Sequence, residues 1–156
     1  NKALELVKRL GEATKVPTIL TTTAILTGLK AVGAKKVVIV SPFVRELDEI
    51  RAKIFEAEGM KVVGIKSLGL KHNREFSSLP TYASYRAAME AVQEAPDCDT
   101  INIPCPSWHV IRNVELIEKD SGKTVVASVN GEAFAAMKAL NLKGPIKSFG
   151  KLLEML

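Results

Sequence analysis

Lys35–Phe43 reads KKVVIVSPF: two lysines, four consecutive branched aliphatic residues, and a stop at Ser41-Pro42. The run Val37-Val38-Ile39-Val40 has no polar face. That suits a strand buried on both sides, as strands are in parallel sheets covered by helices.

The segments on either side support this reading. Upstream, Leu4, Val7 and Leu10 recur at helical spacing, Leu6 widens the stripe and Gly11 follows, so residues 2–14 read as an amphipathic helix. After Pro17 the run TILTTT is rich in β-branched residues, and its end, Thr21-Thr22-Thr23, stands where a first strand would end. Ala24–Val32 then reads as helix up to Gly33, with Thr22 or Thr23 as N-cap.

Downstream, Leu47, Ile50 and Ile54 mark a helix ending at Gly59, and Lys61–Ile65 a second strand. Residues 66–80 show neither period and read as a long loop, a common place for function. Tyr82, Tyr85, Met89 and Val92 form the stripe of the next helix, with the two tyrosines expected in the core. The strand Thr100–Ile103, a helix from about Val110 to Lys119, the strand Val125–Val129 and a helix over 131–140 complete the chain. Strands alternate with helices and hairpin signals are missing. The expected fold is therefore α/β: a parallel sheet flanked by helices and joined by right-handed crossovers. Ligands bind such sheets at the carboxyl ends of the strands. Attention falls on Ser41-Pro42-Phe43, the 66–80 loop, Pro104–His109 and Ser128–Gly131.

The 156 residues fit one domain, 47% hydrophobic and 25% charged, which needs no disulfide or metal staple. No run approaches the roughly 18 apolar residues of a membrane span, and no secretory signal opens the chain, so a cytoplasmic protein is expected. The net charge of +5 is dispersed, without the aromatic-interleaved basic stripe of a nucleic-acid binder. The first residue is Asn1, not Met, and the amphipathic segment starts at once, so the chain is expected to begin partway through a longer product.

Glycine motifs for dinucleotides or nucleotide phosphates are missing, and so are the clustered acids of a phospho-receiver. Cys98, Cys105, His72 and His109 do not make up a zinc set, so no metal is expected. A disulfide between Cys98 and Cys105 would have to join two ends of one extended segment, up to about 20 Å apart. Cys98 lies in the turn Pro96-Asp97-Cys98-Asp99 and reads as a small residue without a role. Cys105, in NIPCPSWH (residues 102–109), is delivered by a strand to the ligand end of the sheet, close to the start of a helix that would favour a thiolate. By spacing alone it reads either as a buried small residue or as a functional thiol. His109, in the first turn of that helix, reads as a surface histidine, and Trp108 as a lid or packing residue.

The blocks VPTILTTTAILTGLKAVGAKKVVIVSPF, EGMKVVGIKSLGLKHN, DTINIPCPSWHVI and GKTVVASVNGEAFAAMKALNL, in this order, resemble the maleate isomerase and arylmalonate decarboxylase branch of the aspartate/glutamate racemase superfamily. The resemblance implies a flavodoxin-like lobe and an enzyme needing no cofactor, in which a strand-end cysteine acts on a carbon next to a carboxylate. Cys105 matches the family's second-half cysteine, the acid/base thiol. Asn73, in LGLKHN, matches a loop asparagine that contacts a substrate carboxylate. Pro106 and Ser107 follow the cysteine, where the family commonly helps to hold a carboxylate. At Phe43 the family usually has a tyrosine, so a carboxylate hydrogen bond should be lost or supplied elsewhere.

The family's enzymes have two similar lobes with the site between them, and this chain matches the second. Residues 1–14 and 131–156 are expected to pack on the first lobe. The activity implied is cis-trans isomerisation of a small dicarboxylate such as maleate, with arylmalonate-type decarboxylation or amino-acid racemisation as alternatives. From other classes come a non-catalytic binding or assembly module with a disabled site and a phosphosugar or nucleotide binder. The partner expected is a small dicarboxylate or carboxylate substrate, with homo-oligomerisation open and neither nucleic acid nor membrane engaged.

Overall fold

The computed structural model describes residues 2–156, with side chains from residue 5 onward. Four parallel strands, β1 (Lys36–Ser41), β2 (Lys61–Ser67), β3 (Thr100–Ile103) and β4 (Thr124–Ala127), lie in the order β2-β1-β3-β4. The chain leaves β1 through α3 (Arg45–Ala57) to reach β2 on one side. It then returns through α4 (Asn73–Ser77) and α5 (Ala83–Glu94) to β3 on the other side. This reversal makes the gap between the carboxyl ends of β1 and β3 the topological switch point, where open α/β sheets bind ligands.

The KKVVIVSPF strand divides its side chains as a two-faced strand must. Val38 and Val40 join Ile101, Ile103, Val125 and Ala127 under α5 and α6 (Val114–Ser121). Val37 and Ile39 join Val126 on the other face, with Leu29 of α2 (Thr21–Ala31), Phe55 of α3, Phe134 of α7 (Ser128–Ala139) and Leu152 of α8 (Lys151–Glu154). Each fully buried Val, Ile or Leu contributes roughly 1.5–3 kcal/mol. Helix α2 approaches α7 closely: a Cβ on Gly131 would lie 3.5 Å from the Ile25 Cα.

Several sequence expectations are corrected. TILTTT is not a strand: Thr21-Thr22-Thr23 form the first turn of α2, and Leu20, not a threonine, is the N-cap. The Thr21 hydroxyl donates to Glu132 of α7 at 2.6 Å, a tertiary contact that overrides β-propensity. Helix α3 forms where expected but turned. Leu47, Ile50 and Ile54 are exposed, while Asp48, Ala52 and Phe55 face the sheet. The hydroxyls of Ser41 and Ser67, at the ends of β1 and β2, both donate to the Asp48 carboxylate, and these bonds fix the rotation of the helix. In α5 the core face is alanine, Ala83, Ala87, Ala88 and Ala91, while Tyr82 is 62% exposed and Tyr85 half-buried. The 66–80 segment extends β2 to Ser67 and contains α4. The helix expected from Val110 begins as a 3-10 turn at Ile111–Asn113, and α6 itself starts at Val114.

Helix α1 (Lys2–Thr14) is present as expected, with Leu6 and Leu10 exposed. In the 131–156 segment, Phe134, Ala135, Leu152 and Leu153 are buried within this lobe, whereas Leu140, Leu142 and Met155 are exposed. No helix among the described residues is long and apolar enough to cross a membrane.

Candidate active site

Cys105 lies two residues beyond β3, 4% exposed, with a backbone φ of 103°. A residue with a Cβ adopts such a φ only when its surroundings enforce it, at a cost of about 1–3 kcal/mol, and such strain concentrates at functional sites. Two backbone contacts hold the turn. The Cys105 N–H donates to the Ser128 hydroxyl at 3.0 Å, and the Cys105 carbonyl accepts the Trp108 N–H at 3.2 Å.

Burial pushes the Cys105 thiol up from its ordinary pKa. Backbone N–H groups of Ser107 and Trp108 and the charge of Arg51 pull it back without prevailing. The expected helix N-terminus plays no part, because the 3-10 turn starts only at Ile111. At neutral pH the group is therefore a thiol, a proton donor, with N–H dipoles and a cation arranged to receive the thiolate once the proton has left.

Across the switch point, β1 ends in a network tied to α3. The Phe43 N–H donates to the Ser41 hydroxyl at 3.1 Å, and Ser67 donates to the same Asp48 oxygen that Ser41 uses, at 2.7 Å. The loop after β2 is stitched onto this corner: Leu68 N–H to Ser41 O at 2.9 Å, Gly69 N–H to Phe43 O at 3.0 Å and Leu70 N–H to Pro42 O at 2.9 Å. Phe76 of α4 is buried in the same cluster as Cys105 and Trp108 and meets Phe43 edge-on, with centroids 5.2 Å apart. The structure thus gathers Phe43, Cys105, Trp108 and Phe76 at one end of the sheet.

Asn73 is exposed in the first turn of α4, on the face it shares with Phe76 three residues later. Just upstream, the Glu75 carboxylate accepts the His72 and Lys71 N–H groups at 2.7 and 3.0 Å, which fixes the entry to that helix. Pro106 is exposed and Ser107 half-buried beside the thiol. His109 is exposed in the loop before the 3-10 turn, not in a helix. Trp108 is buried at 1% and packs in the core, its Nε1 without a partner. Among the described residues no group of three His, Cys, Asp or Glu side chains could hold a metal ion.

Sequence reasoning missed Arg51 and Asp48. Asp48 is buried on the α3 face away from Leu47, Ile50 and Ile54, and Arg51, half-buried, lies at the edge between that face and the Leu47 and Ile54 side. A charged pair three residues apart, its acidic member opposite the apolar stripe, was the available signal.

The arylmalonate decarboxylase family model matches residues 2–153 of the chain. The chain belongs to the arylmalonate decarboxylase family. An arylmalonate decarboxylase of Bordetella bronchiseptica is 28% identical over 128 residues, 82% of this chain and 52% of that protein. A maleate isomerase of Nocardia farcinica is 27% identical over 131 residues, 84% of this chain and 52% of the relative. The chain therefore spans about half the length of these relatives.

Among solved structures, arylmalonate decarboxylase superposes with a TM-score of 0.88 at 23% identity, covering 98% of this chain and 68% of the other. A cysteine-to-serine mutant of Nocardia farcinica maleate cis-trans isomerase with a covalently bound succinylcysteine intermediate superposes with a TM-score of 0.84 at 23% identity, covering 97% and 64%. These superpositions establish the fold of a family member: the four-stranded parallel sheet with Cys105 at its carboxyl edge.

Proposed function

We propose that this member of the arylmalonate decarboxylase family forms one wall of a cofactor-independent isomerase acting on a small dicarboxylate, with Cys105 as its acid/base thiol. The observation that carries the reading is the thiol itself: strained at φ 103°, nearly buried and kept protonated at the switch point of the sheet. A protonated thiol delivers a proton to carbon next to a carboxylate, and the N–H groups of Ser107 and Trp108 with Arg51 stabilise the thiolate that remains.

In a cis-trans change the proton from Cys105 adds to one alkene carbon while a nucleophile on the facing wall adds to the other. The former double bond, now single, rotates. The thiolate then recovers a proton as the nucleophile leaves. Asn73 and the Pro106-Ser107 turn are assigned to the substrate carboxylates. The facing wall is assigned to a first lobe, seated on the exposed Leu6 and Leu10 of α1 and on Leu140, Leu142 and Met155.

A second reading, decarboxylation of an arylmalonate, is favoured by the same protonated thiol, which would quench the carbanion left by loss of carbon dioxide. Proton NMR in deuterium oxide separates the two readings. Isomerisation turns maleate into fumarate without loss of carbon, whereas decarboxylation of phenylmalonate yields phenylacetate with deuterium on the α-carbon. A wild-type protein that carries this chain together with its facing lobe and converts neither would overturn both.

A further inference from the structure

Arg51 is a cation with unspent hydrogen-bond donors. It lies half-buried in the second turn of α3, one turn after Asp48, at the edge of the face turned toward the sheet. Side chains in a helix lean toward its N-terminus. For α3 that direction leads to the carboxyl end of β1. The guanidinium carbon indeed lies 5.6 Å from the centre of the Phe43 ring.

The Nε of Arg51 is buried and has no partner, and among the described residues Arg51 makes no ion pair. Asp48 does not serve as one: one of its oxygens is taken by Ser41 and Ser67, and the other is also buried and unpartnered. A buried donor left unsatisfied costs about 1–3 kcal/mol, more when it is charged, so such a group calls for an explanation. The field of the cation reaches the reactive centre. Arg51 pulls the Cys105 thiol down, while burial, opposed by Asp48 and Cys105, lowers the guanidinium from a value high enough to leave it charged.

We propose that Arg51 is the carboxylate-binding cation of this site, supplying the anchor that the phenyl ring of Phe43 cannot, so that the switch point beside Cys105 selects substrates carrying a second carboxylate. The planar fork of a guanidinium matches a carboxylate with two parallel N–H donors, a geometry that a lysine ammonium does not reproduce. Phe43 offers its ring to the cation at 5.6 Å, and Asp48 balances the charge without occupying its donors. The proposal rests on the reading of the switch point as a substrate site.

Calorimetry with the full chain tests it independently of turnover, using maleate as the dicarboxylate and the cis isomer of crotonate, called crotonate below, as the monocarboxylate of the same length and alkene geometry. For Arg51→Gln the expected result is at least a tenfold loss of maleate affinity with less than a twofold change for crotonate. Arg51→Lys should recover only part of the loss, and Phe43→Tyr in the Arg51→Gln background should recover more. Iodoacetamide labelling of Cys105 in Arg51→Gln should move to higher pH, a shift that a merely structural arginine far from the thiol would not cause. Equal losses for both ligands, full recovery by lysine, or a wild-type chain that does not prefer maleate over crotonate would overturn the proposal. Should Arg51→Gln fail to fold, Arg51→Lys decides by the same ratio. Maleate binding that depends on Arg51, with no turnover by the protein that joins this chain to its facing lobe, would leave this assignment standing and sink the isomerase reading.

Discussion

The backbone N–H of Cys105 donates to the hydroxyl of Ser128 across 3.0 Å, joining the second residue after β3 to the first residue of the helix after β4. Both residues are buried, so the bond has no water to replace it. Ser128→Ala strands a buried donor at a cost of about 1–3 kcal/mol. Thermal unfolding should fall by roughly 2–4 °C for each kcal/mol lost. An unchanged melting temperature would mean that Ser128 does not hold the Cys105 turn.

The φ of 103° at Cys105 makes a prediction of opposite sign. Glycine adopts that conformation without the Cβ penalty, whereas alanine keeps it. Urea titration should find Cys105→Gly more stable than Cys105→Ala by about 1 kcal/mol, although glycine usually costs stability. Alanine as the more stable variant would argue against strain at this residue.

For the thiol, the sign follows from burial. Desolvation disfavours the thiolate, so the folded group ionises at higher pH than a free cysteine, whose pKa is about 8.5. The reactivity of Cys105 toward iodoacetamide should therefore rise at a pH above that of a small-molecule thiol. Rapid labelling well below pH 8 would contradict the balance found here, although that is what a helix N-terminus beside Cys105 would have produced.

Asp48 gathers two strand-end serines. Hydrogen bonds to a charged acceptor are worth about 1.5–3 kcal/mol each, so Asp48→Ala should destabilise by about 3 kcal/mol or more in chemical denaturation. Asp48→Asn keeps one oxygen acceptor and should cost less. Equal costs for the two variants would show that the serines do not need the carboxylate.

These residues also mark what was legible in the sequence. Val37–Val40 announced a strand buried on both faces, because hydrophobic burial is a property of each residue and needs no knowledge of its partners. The alternation of elements placed Cys105 at the ligand end of the sheet for the same reason. The rotation of α3 was not legible: it is set by Ser41 and Ser67 reaching Asp48, across 7 and 19 residues of chain. The Leu47, Ile50 and Ile54 stripe therefore pointed the wrong way. Neither the φ of Cys105 nor the Ser128 bond, 23 residues away, leaves a trace in local composition. Arg51 was hidden with them, since its role depends on which face of α3 turns inward.

The proposed reaction depends on a proton carried by the Cys105 thiol. It is tested most directly by replacing the sulfur with oxygen, Cys105→Ser, in the protein that carries this chain, and measuring kcat on the dicarboxylate that the wild type converts, with folding checked by circular dichroism. A serine hydroxyl is nearly isosteric but far too weak an acid to donate in its place. Loss of a positioned proton-transfer group costs about 10²–10⁴-fold, and a loss in that range is expected with the fold intact. A folded Cys105→Ser protein that keeps more than about a tenth of wild-type turnover would contradict it.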